Sequence, residues 1–236
     1  MKKLMTALGV LVVLAAVGAG IGIWWLSNNV DRLVKNAIED YGSRMVGAKV
    51  AVQSVELRAS GEGIVKGLFI GNPKGFLTSH LARIDQFDMA IDLASLAGDV
   101  IHIRHINIVT PNLIYERGDT LTNVDAIQRN INTYIGPSKS QGSSRKLIVD
   151  LLTIRHARAQ ASAAFMSGKT VEVSLPDVTL RDIGKAKGGV TPAELGQIIA
   201  GALEKQLSAK ISFENLRKQF SGAIDSGVKA IKGLFK

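Results

Sequence analysis

The chain contains no cysteine, and aromatic residues make up only 5% of it. Without cysteine there is no disulfide framework, no thiolate metal site and no cysteine nucleophile. With so few aromatics, and no basic run in which they are interleaved, the sequence lacks a platform for stacking bases, so we expect no nucleic-acid partner. Basic residues outnumber acidic ones, and the formal net charge of +9 favours an anionic partner, either lipid or nucleic acid. We favour lipid because the N-terminal apolar run described below ties the chain to a membrane.

Catalytic motifs are also missing. The four histidines have no metal-ligand spacing such as HExxH, and they are His80, His102, His105 and His156. No serine has a Gly-x-Ser-x-Gly context, and the glycine-rich turns lack the spacing of a phosphate loop. Three carboxylates follow the polar side of an alternating strand, which indicates a solvated face: Asp85, Asp88 and Asp92. We therefore expect a non-enzymatic protein without metal or cofactor; only a pocket joining Asp85, His102 and His105 would revive an enzyme hypothesis.

One long apolar run stands at the N-terminus, where Leu4 to Leu26 carries no charged residue. As a helix it would be roughly 34 Å long, enough to cross a bilayer core of about 30 Å. Lys2 and Lys3 precede it, so the positive-inside rule places the N-terminus in the cytoplasm and the body on the other side. A cleaved signal peptide, cut near residues 17–19, is the alternative. The apolar run continues past that point, which favours an uncleaved anchor.

A short pattern recurs six times in the rest of the chain: apolar, two residues, apolar, one residue, apolar. The copies are Val52-Val55-Leu57, Val65-Leu68-Ile70, Ile84-Phe87-Met89, Ile103-Ile106-Ile108, Val149-Leu152-Ile154 and Leu175-Val178-Leu180. Side chains of a strand alternate between faces, so the step of three keeps the apolar set on one face only if a bulge or bend intervenes. The pattern predicts a sheet of similar, strongly twisted strands with one apolar face.

Turn residues and periodicity locate the elements. We predict strands at Lys49–Arg58, Glu62–Ile70, Ala82–Leu93, Val100–Val109, Asn112–Arg117, Lys146–Arg155, Arg158–Phe165, Thr170–Leu175 and Asp177–Ile183. We predict helices at Val30–Arg44, Asn123–Tyr134 with Asn123 as N-cap, Thr191–Leu207 and Phe213–Phe235. Thr191, Pro192 and Glu194 form a capping-box signature. A weak long-range repeat aligns 103–115 with 149–161, each as a strand, a tight break and a second strand.

These elements predict an N-terminal transmembrane helix followed by a mainly β domain of the α+β class. Its twisted antiparallel sheet would form an open β-groove, with helices at the C-terminus. The expected segments are a transmembrane anchor at 1–29, a juxtamembrane helix at 30–47, a first β-groove segment with a short helix at 48–135, a flexible linker at 136–145, a second β segment at 146–186 and C-terminal helices at 187–236.

The last predicted helix is amphipathic and basic. Its apolar stripe, at steps of three and four, is Phe213, Leu216, Phe220, Ile224, Val228, Ile231 and Phe235. Such a helix is typical of one that binds an anionic membrane surface, or that fills and blocks an apolar groove. Ordinary packing against the domain's own sheet is an equal alternative.

The anchor, the strand block Val50–Leu57, the stretch Ile84–Glu116 and the following Asn123–Ile127 together resemble the AsmA-like family of bacterial envelope proteins. That family is related to bridge-like lipid-transfer proteins with repeating β-grooves. The resemblance covers Lys2–Asn132 well and 146–183 loosely. It implies a curved open sheet with an apolar concave face, a single-pass inner-membrane anchor and a periplasmic body. It also implies work in phospholipid movement or outer-membrane assembly, although typical members are several times longer.

The leading expectation is that acyl chains of membrane phospholipids bind along the concave face. The hypothetical lining is Val52, Leu57, Leu68, Ile70, Phe87, Met89, Ile91, Ile106, Ile108, Leu152 and Ile154. The alternative is a structural or interaction protein whose core is filled by its own helices and which acts as a subunit of a larger envelope complex. Packing of Phe220 and Ile231 into the concave face would favour this alternative. Both hypotheses are compatible with a homo-oligomer.

Overall fold

The protein is a mixed α/β structure dominated by one twisted, open sheet, with helices that follow it in the chain. The computed structural model describes residues 30–135 and 145–221. Within these ranges no helix has both the length and the apolar character needed to cross a bilayer. The predicted anchor, nearly all of the predicted linker and the last part of the predicted helix Phe213–Phe235 lie outside the described residues.

The sheet contains ten strands in these ranges. They are β1 (Val50–Ala51), β2 (Ser54–Leu57), β3 (Glu62–Ile70), β4 (Ala82–Ile91), β5 (Val100–Val109), β6 (Asn112–Arg117), β7 (Lys146–Arg155), β8 (Arg158–Ala163), β9 (Val171–Ser174) and β10 (Val178–Ile183). The helices are α1 (Val30–Val46), α2 (Asn123–Ile135), α3 (Pro192–Lys210) and α4 (213–221). Short 3-10 turns lie at Leu93–Ala97, Ala164–Met166 and Lys185–Lys187.

Several consecutive strands, such as β5 and β6, lie end to end and pair with the same neighbour, so that together they act as one bent strand. We call each such pair, or each single long strand, a row. β1 and β2 both pair with β3, β3 pairs with β4, and β4 pairs with both β5 and β6. The next row is β7 with β8, and the last is β10 with β9. β5 runs parallel to β7 and β6 runs parallel to β8, so the sheet is mixed and the predicted antiparallel sheet is wrong at this point. The cause is α2, because a helical crossover returns the chain to the end of the sheet from which it started.

The long-range repeat is confirmed as a structural one. The parallel register places Ile103 beside Val149 and Tyr115 beside Ala161, as the sequence alignment predicted. The breaks within the two rows also correspond, since Thr110 and His156 have positive φ of 56° and 54°. The repeated sequences are therefore two neighbouring bent rows of one sheet.

The apolar pattern is confirmed as the core of the sheet. All three apolar residues of all six copies lie in the hydrophobic core or pack against it. A bulge accompanies the step between Ile103 and Ile106, where the β4–β5 register shifts. The step between Val65 and Leu68 contains Gly67, with a φ of 63°, yet the β3–β4 register stays constant through it. At this point the side chains of both strands switch faces together. The local backbone conformation, with no extra residue in either strand, therefore keeps the apolar set on one face without the predicted bulge.

Helices α3 and α2 each begin at a residue whose side chain caps the first turn. The capping box of α3 is present as predicted, with the Thr191 hydroxyl accepting from Glu194 and the Glu194 carboxylate accepting from Thr191. At α2 the predicted N-cap is wrong. Thr122 takes that role, because its hydroxyl accepts from the Asp125 N–H and its own N–H donates to the Asp125 carboxylate. Asn123 instead turns into the interior and is fully buried.

Helix α1 closes the edge of the sheet formed by β1 and β2. Four of its side chains, spaced four residues apart on one face, bond to the edge backbone: Asp31, Lys35, Glu39 and Ser43. The Glu39 carboxylate accepts from the Val52 N–H at 2.8 Å, and the Ser43 hydroxyl accepts from the Val50 N–H at 2.9 Å. Backbone groups that an edge strand leaves unpaired are thus occupied by side chains of the same chain.

Candidate functional site: an apolar cavity under two helices

A cavity of about 150 Å³ lies between the inner face of the sheet and helices α2 and α3. Among the described residues, all those that line it are apolar. The sheet and its loops contribute Leu68, Ile70, Leu81, Ala82, Ile84, Phe87, Ile106, Ile108, Pro111, Leu113, Ile114, Leu152 and Ile154. The helices contribute Val46, Val124, Ile127, Ile131, Leu195, Gly196, Ile199, Ala200, Leu203 and Leu207.

This composition decides what the cavity can hold. Apolar cavities of roughly this volume stay dry and take small apolar guests such as benzene, because water finds no hydrogen-bond partner in them. Each methylene buried from water contributes about 0.8 kcal/mol. The cavity therefore suits a short hydrocarbon segment.

Helix α3 covers the cavity unevenly. Leu195 and Leu207, near its two ends, are 1% and 2% exposed. Between them Ile199 and Leu203 are only half-buried, although both line the cavity, and Ile198 is exposed. Among the α3 residues, the middle of the helix is thus the weakest part of the cavity wall.

Polar contacts with α2 hold α3 in place. Gln128 of α2 donates to the Glu204 carboxylate at 2.9 Å, and Gln197 of α3 donates to Asn132. Burial raises the pKa of Glu204, and the adjacent Asp125 carboxyl adds to the rise. Burial acts in the same direction on Asp125, but its hydrogen bonds with Thr122 and Glu204 outweigh it and lower the pKa of Asp125. A pair of carboxyl groups therefore lies at the junction of the two covering helices.

A buried polar network fixes the loop beside the cavity, residues 71–81. The Glu116 carboxylate, 1% exposed, accepts from the Leu77 N–H at 2.7 Å and from the N–H of Thr78 at 2.8 Å. The Thr78 hydroxyl also donates to it, at 2.5 Å. Asn123 donates to the Ile114 carbonyl and to the side chain of Asn72, which joins the loop to α2. Sequence reasoning missed this network, because a charged residue in a strand usually indicates a solvated position.

The predicted groove residues divide into two groups. Seven line the cavity: Leu68, Ile70, Phe87, Ile106, Ile108, Leu152 and Ile154. The other four are in the same core but outside the cavity wall: Val52, Leu57, Met89 and Ile91. The helical half of the wall was absent from the prediction. Its signal was available in the apolar stripes of α2 and α3, whose positions predicted helices but not which face of the sheet they would cover.

The described part of the C-terminal helix lies beside the cavity wall, not inside it. Phe213 and Leu216 pack against a second core cluster, and the Phe220 ring lies 5.9 Å from the Phe165 ring. Neither Phe213 nor Phe220 lines the cavity. The other four residues of the predicted stripe, Ile224, Val228, Ile231 and Phe235, lie outside the described residues. Of the described helices, α2 and α3 are the ones that cover the inner face.

The residues considered for an enzyme do not meet in the cavity, since Asp85, His102 and His105 are not part of its wall. His105 instead lies 3.4 Å from Asp88, and both side chains are partly exposed. In the portions of the chain that the structure describes, no group of three or more histidines and carboxylates is placed to hold a metal ion.

Comparison with known proteins returned no match, either to a protein-family model or to a curated protein. The AsmA-like resemblance therefore remains a prediction based on the residues quoted above.

Proposed function

We propose that this protein handles lipid at the bacterial envelope by taking a segment of one acyl chain into the cavity between its sheet and helices α2 and α3. The observation that carries the proposal is the wholly apolar wall of that cavity. The proposal places the body in the periplasm, anchored in the inner membrane by Leu4–Leu26, as the AsmA-like resemblance implies.

The geometry supports a narrower activity than an open groove. A cavity of about 150 Å³ accommodates part of one chain and leaves the glycerol and headgroup outside. Ile199 and Leu203, which line the cavity and are only half-buried, mark the middle of α3 as the place where a chain would enter. The basic net charge would favour anionic headgroups near the protein surface. Binding of one chain at a time fits a loading or adaptor step better than a continuous conduit.

A matched pair of variants tests the proposal. Ala200→Phe places a ring in the cavity wall, whereas Ser208→Phe adds the same ring at an exposed position of the same helix. The full-length chain would be purified in mild detergent and its bound lipid quantified by mass spectrometry. We expect lipid to copurify with the wild type and with Ser208→Phe, and its amount to fall severalfold for Ala200→Phe. Lipid-free wild type, or equal lipid in all three proteins, would contradict the proposal.

A second candidate is a structural subunit that binds other envelope proteins and no lipid. The observation that favours it is the coverage of the inner face by the chain's own α2 and α3, whose apolar side chains lie in the same core as the strands. The same lipid measurement separates the two candidates. The structural subunit predicts lipid-free protein and no change in partner binding when Ala200 is enlarged.

A further inference from the structure

The two edges of the sheet differ in whether their outward-pointing backbone N–H and C=O groups have hydrogen-bond partners. The β1–β2 edge is closed by α1, through Glu39, Ser43 and their neighbours on the same face. The opposite edge is the row of β9 and β10, which runs from Val171 to Ile183. β9 pairs only with β8 and β10 only with β7, and within 30–135 and 145–221 no strand pairs with the outer side of the row. An unpaired edge is a template for another strand.

The sequence of this edge is complementary to itself. A second copy can be placed antiparallel to it, around a two-fold axis between Pro176 and Asp177. Glu172 then lies opposite Arg181 of the second copy, which brings opposite charges together. The inner pairs are Val173 with Leu180, Ser174 with Thr179, and Leu175 with Val178 of the second copy.

The same register also matches the two faces of the sheet. Four residues of the row pack toward the apolar core: Val173, Leu175, Val178 and Leu180. Four are exposed on the other face: Glu172, Ser174, Thr179 and Arg181. Each pair therefore joins residues of one face. A slip of one residue would place apolar side chains opposite charged or hydroxyl ones, so the register is specified.

We propose that two copies of this chain associate edge to edge through β9 and β10, forming one continuous sheet across a two-fold axis. The association stops at two copies, because the other edge of each sheet is closed by α1 and a head-to-tail filament has no free acceptor. The strand pairing between the two copies ends at Asp182, because its φ of 52° interrupts the extended backbone.

The absence of native cysteine allows a register-specific test. Ser174→Cys combined with Thr179→Cys places each thiol opposite the other thiol of the second copy. Directly opposed residues have Cα atoms about 4.5–5.5 Å apart, within the range of a disulfide. Both sites are exposed, so the fold should be retained. The controls are the two single-cysteine variants and a shifted pair, Glu172→Cys with Thr179→Cys.

Under mild oxidation of the full-length protein in detergent, we expect a covalent dimer for the 174/179 pair and mainly monomer for the three controls. Monomer for the 174/179 pair, with thermal unfolding like that of the wild type, would overturn the proposal. Equal cross-linking of the shifted pair would overturn the register. Pairing of the edge with another segment of the same chain would appear as protection of 171–183 from hydrogen exchange at every protein concentration, and it would also overturn the proposal.

Charge reversal gives an independent measurement without cysteine. Glu172→Arg and Arg181→Glu each place like charges opposite one another at two symmetry-related positions. Each is expected to weaken dimerisation about tenfold in analytical ultracentrifugation. The double variant restores opposite charges and should return the dimer to near wild-type affinity. A double variant as weak as either single one would contradict direct pairing of these residues.

Discussion

Leu152 offers the most direct test of the cavity, through the variant Leu152→Ala. This side chain is fully buried on β7 and lines the cavity. Leu147, on the same strand, is equally buried but lies outside the cavity wall. Leu147→Ala is therefore a matched control with the same change in chemistry and burial.

Both variants should lose similar stability. Truncation of a buried leucine to alanine costs about 3–5 kcal/mol, from lost transfer free energy and from the void that remains. The difference lies in the position of the void. At Leu152 it joins the existing space of about 150 Å³ and enlarges one continuous cavity. At Leu147 it forms at a position that does not line this cavity.

The assay is urea unfolding of the full-length protein with and without decanoate, kept below its micelle concentration. A ligand that binds only the folded state stabilises it by about 2.7 kcal/mol at one hundred times its Kd. We expect decanoate to restore about 2–3 kcal/mol to Leu152→Ala, more than it adds to the wild type. It should add no more to Leu147→Ala than to the wild type. Equal gains for the two variants, or none for Leu152→Ala, would refute the assignment of the cavity as an acyl-chain site.

Three further outcomes test the surrounding structure. Glu116→Gln should destabilise the protein by about 2–4 kcal/mol in urea unfolding, because the amide replaces an acceptor of the Thr78 N–H by a donor, whereas the exposed Glu62→Gln should change it by less than about 0.5 kcal/mol. Thr191→Ala should cost about 1 kcal/mol through loss of the α3 cap, and an unchanged urea midpoint would argue against that cap. The raised pKa of Glu204 means that the folded state holds this proton more tightly than the unfolded state, so the group's contribution to stability falls as pH rises through its folded pKa. Glu204→Gln should therefore be more stable than the wild type at pH 7, with a difference that shrinks toward pH 4.5; a constant difference across that range would contradict the assignment.

Much of the local structure was predictable because it depends on near neighbours in the chain. Alternation and turn residues place most strands to within two residues, and the capping box of α3 is set by Thr191 and Glu194 alone. The six-fold apolar pattern identified the core residues of the sheet, because burial of one face requires that spacing. The long-range repeat identified two rows of equivalent shape.

What only the tertiary structure decided is how these elements meet. The parallel pairing of the two repeated rows depends on where α2 returns the chain, which no strand pattern contains. Burial of Glu116 depends on the loop that folds over it and supplies its hydrogen-bond donors. The predicted open groove is partly covered because α2 and α3 bury their apolar stripes against the same face, leaving a cavity where their side chains fail to fill the space. Periodicity reports that a side chain is buried, whereas its partner is selected by contacts between residues far apart in the chain.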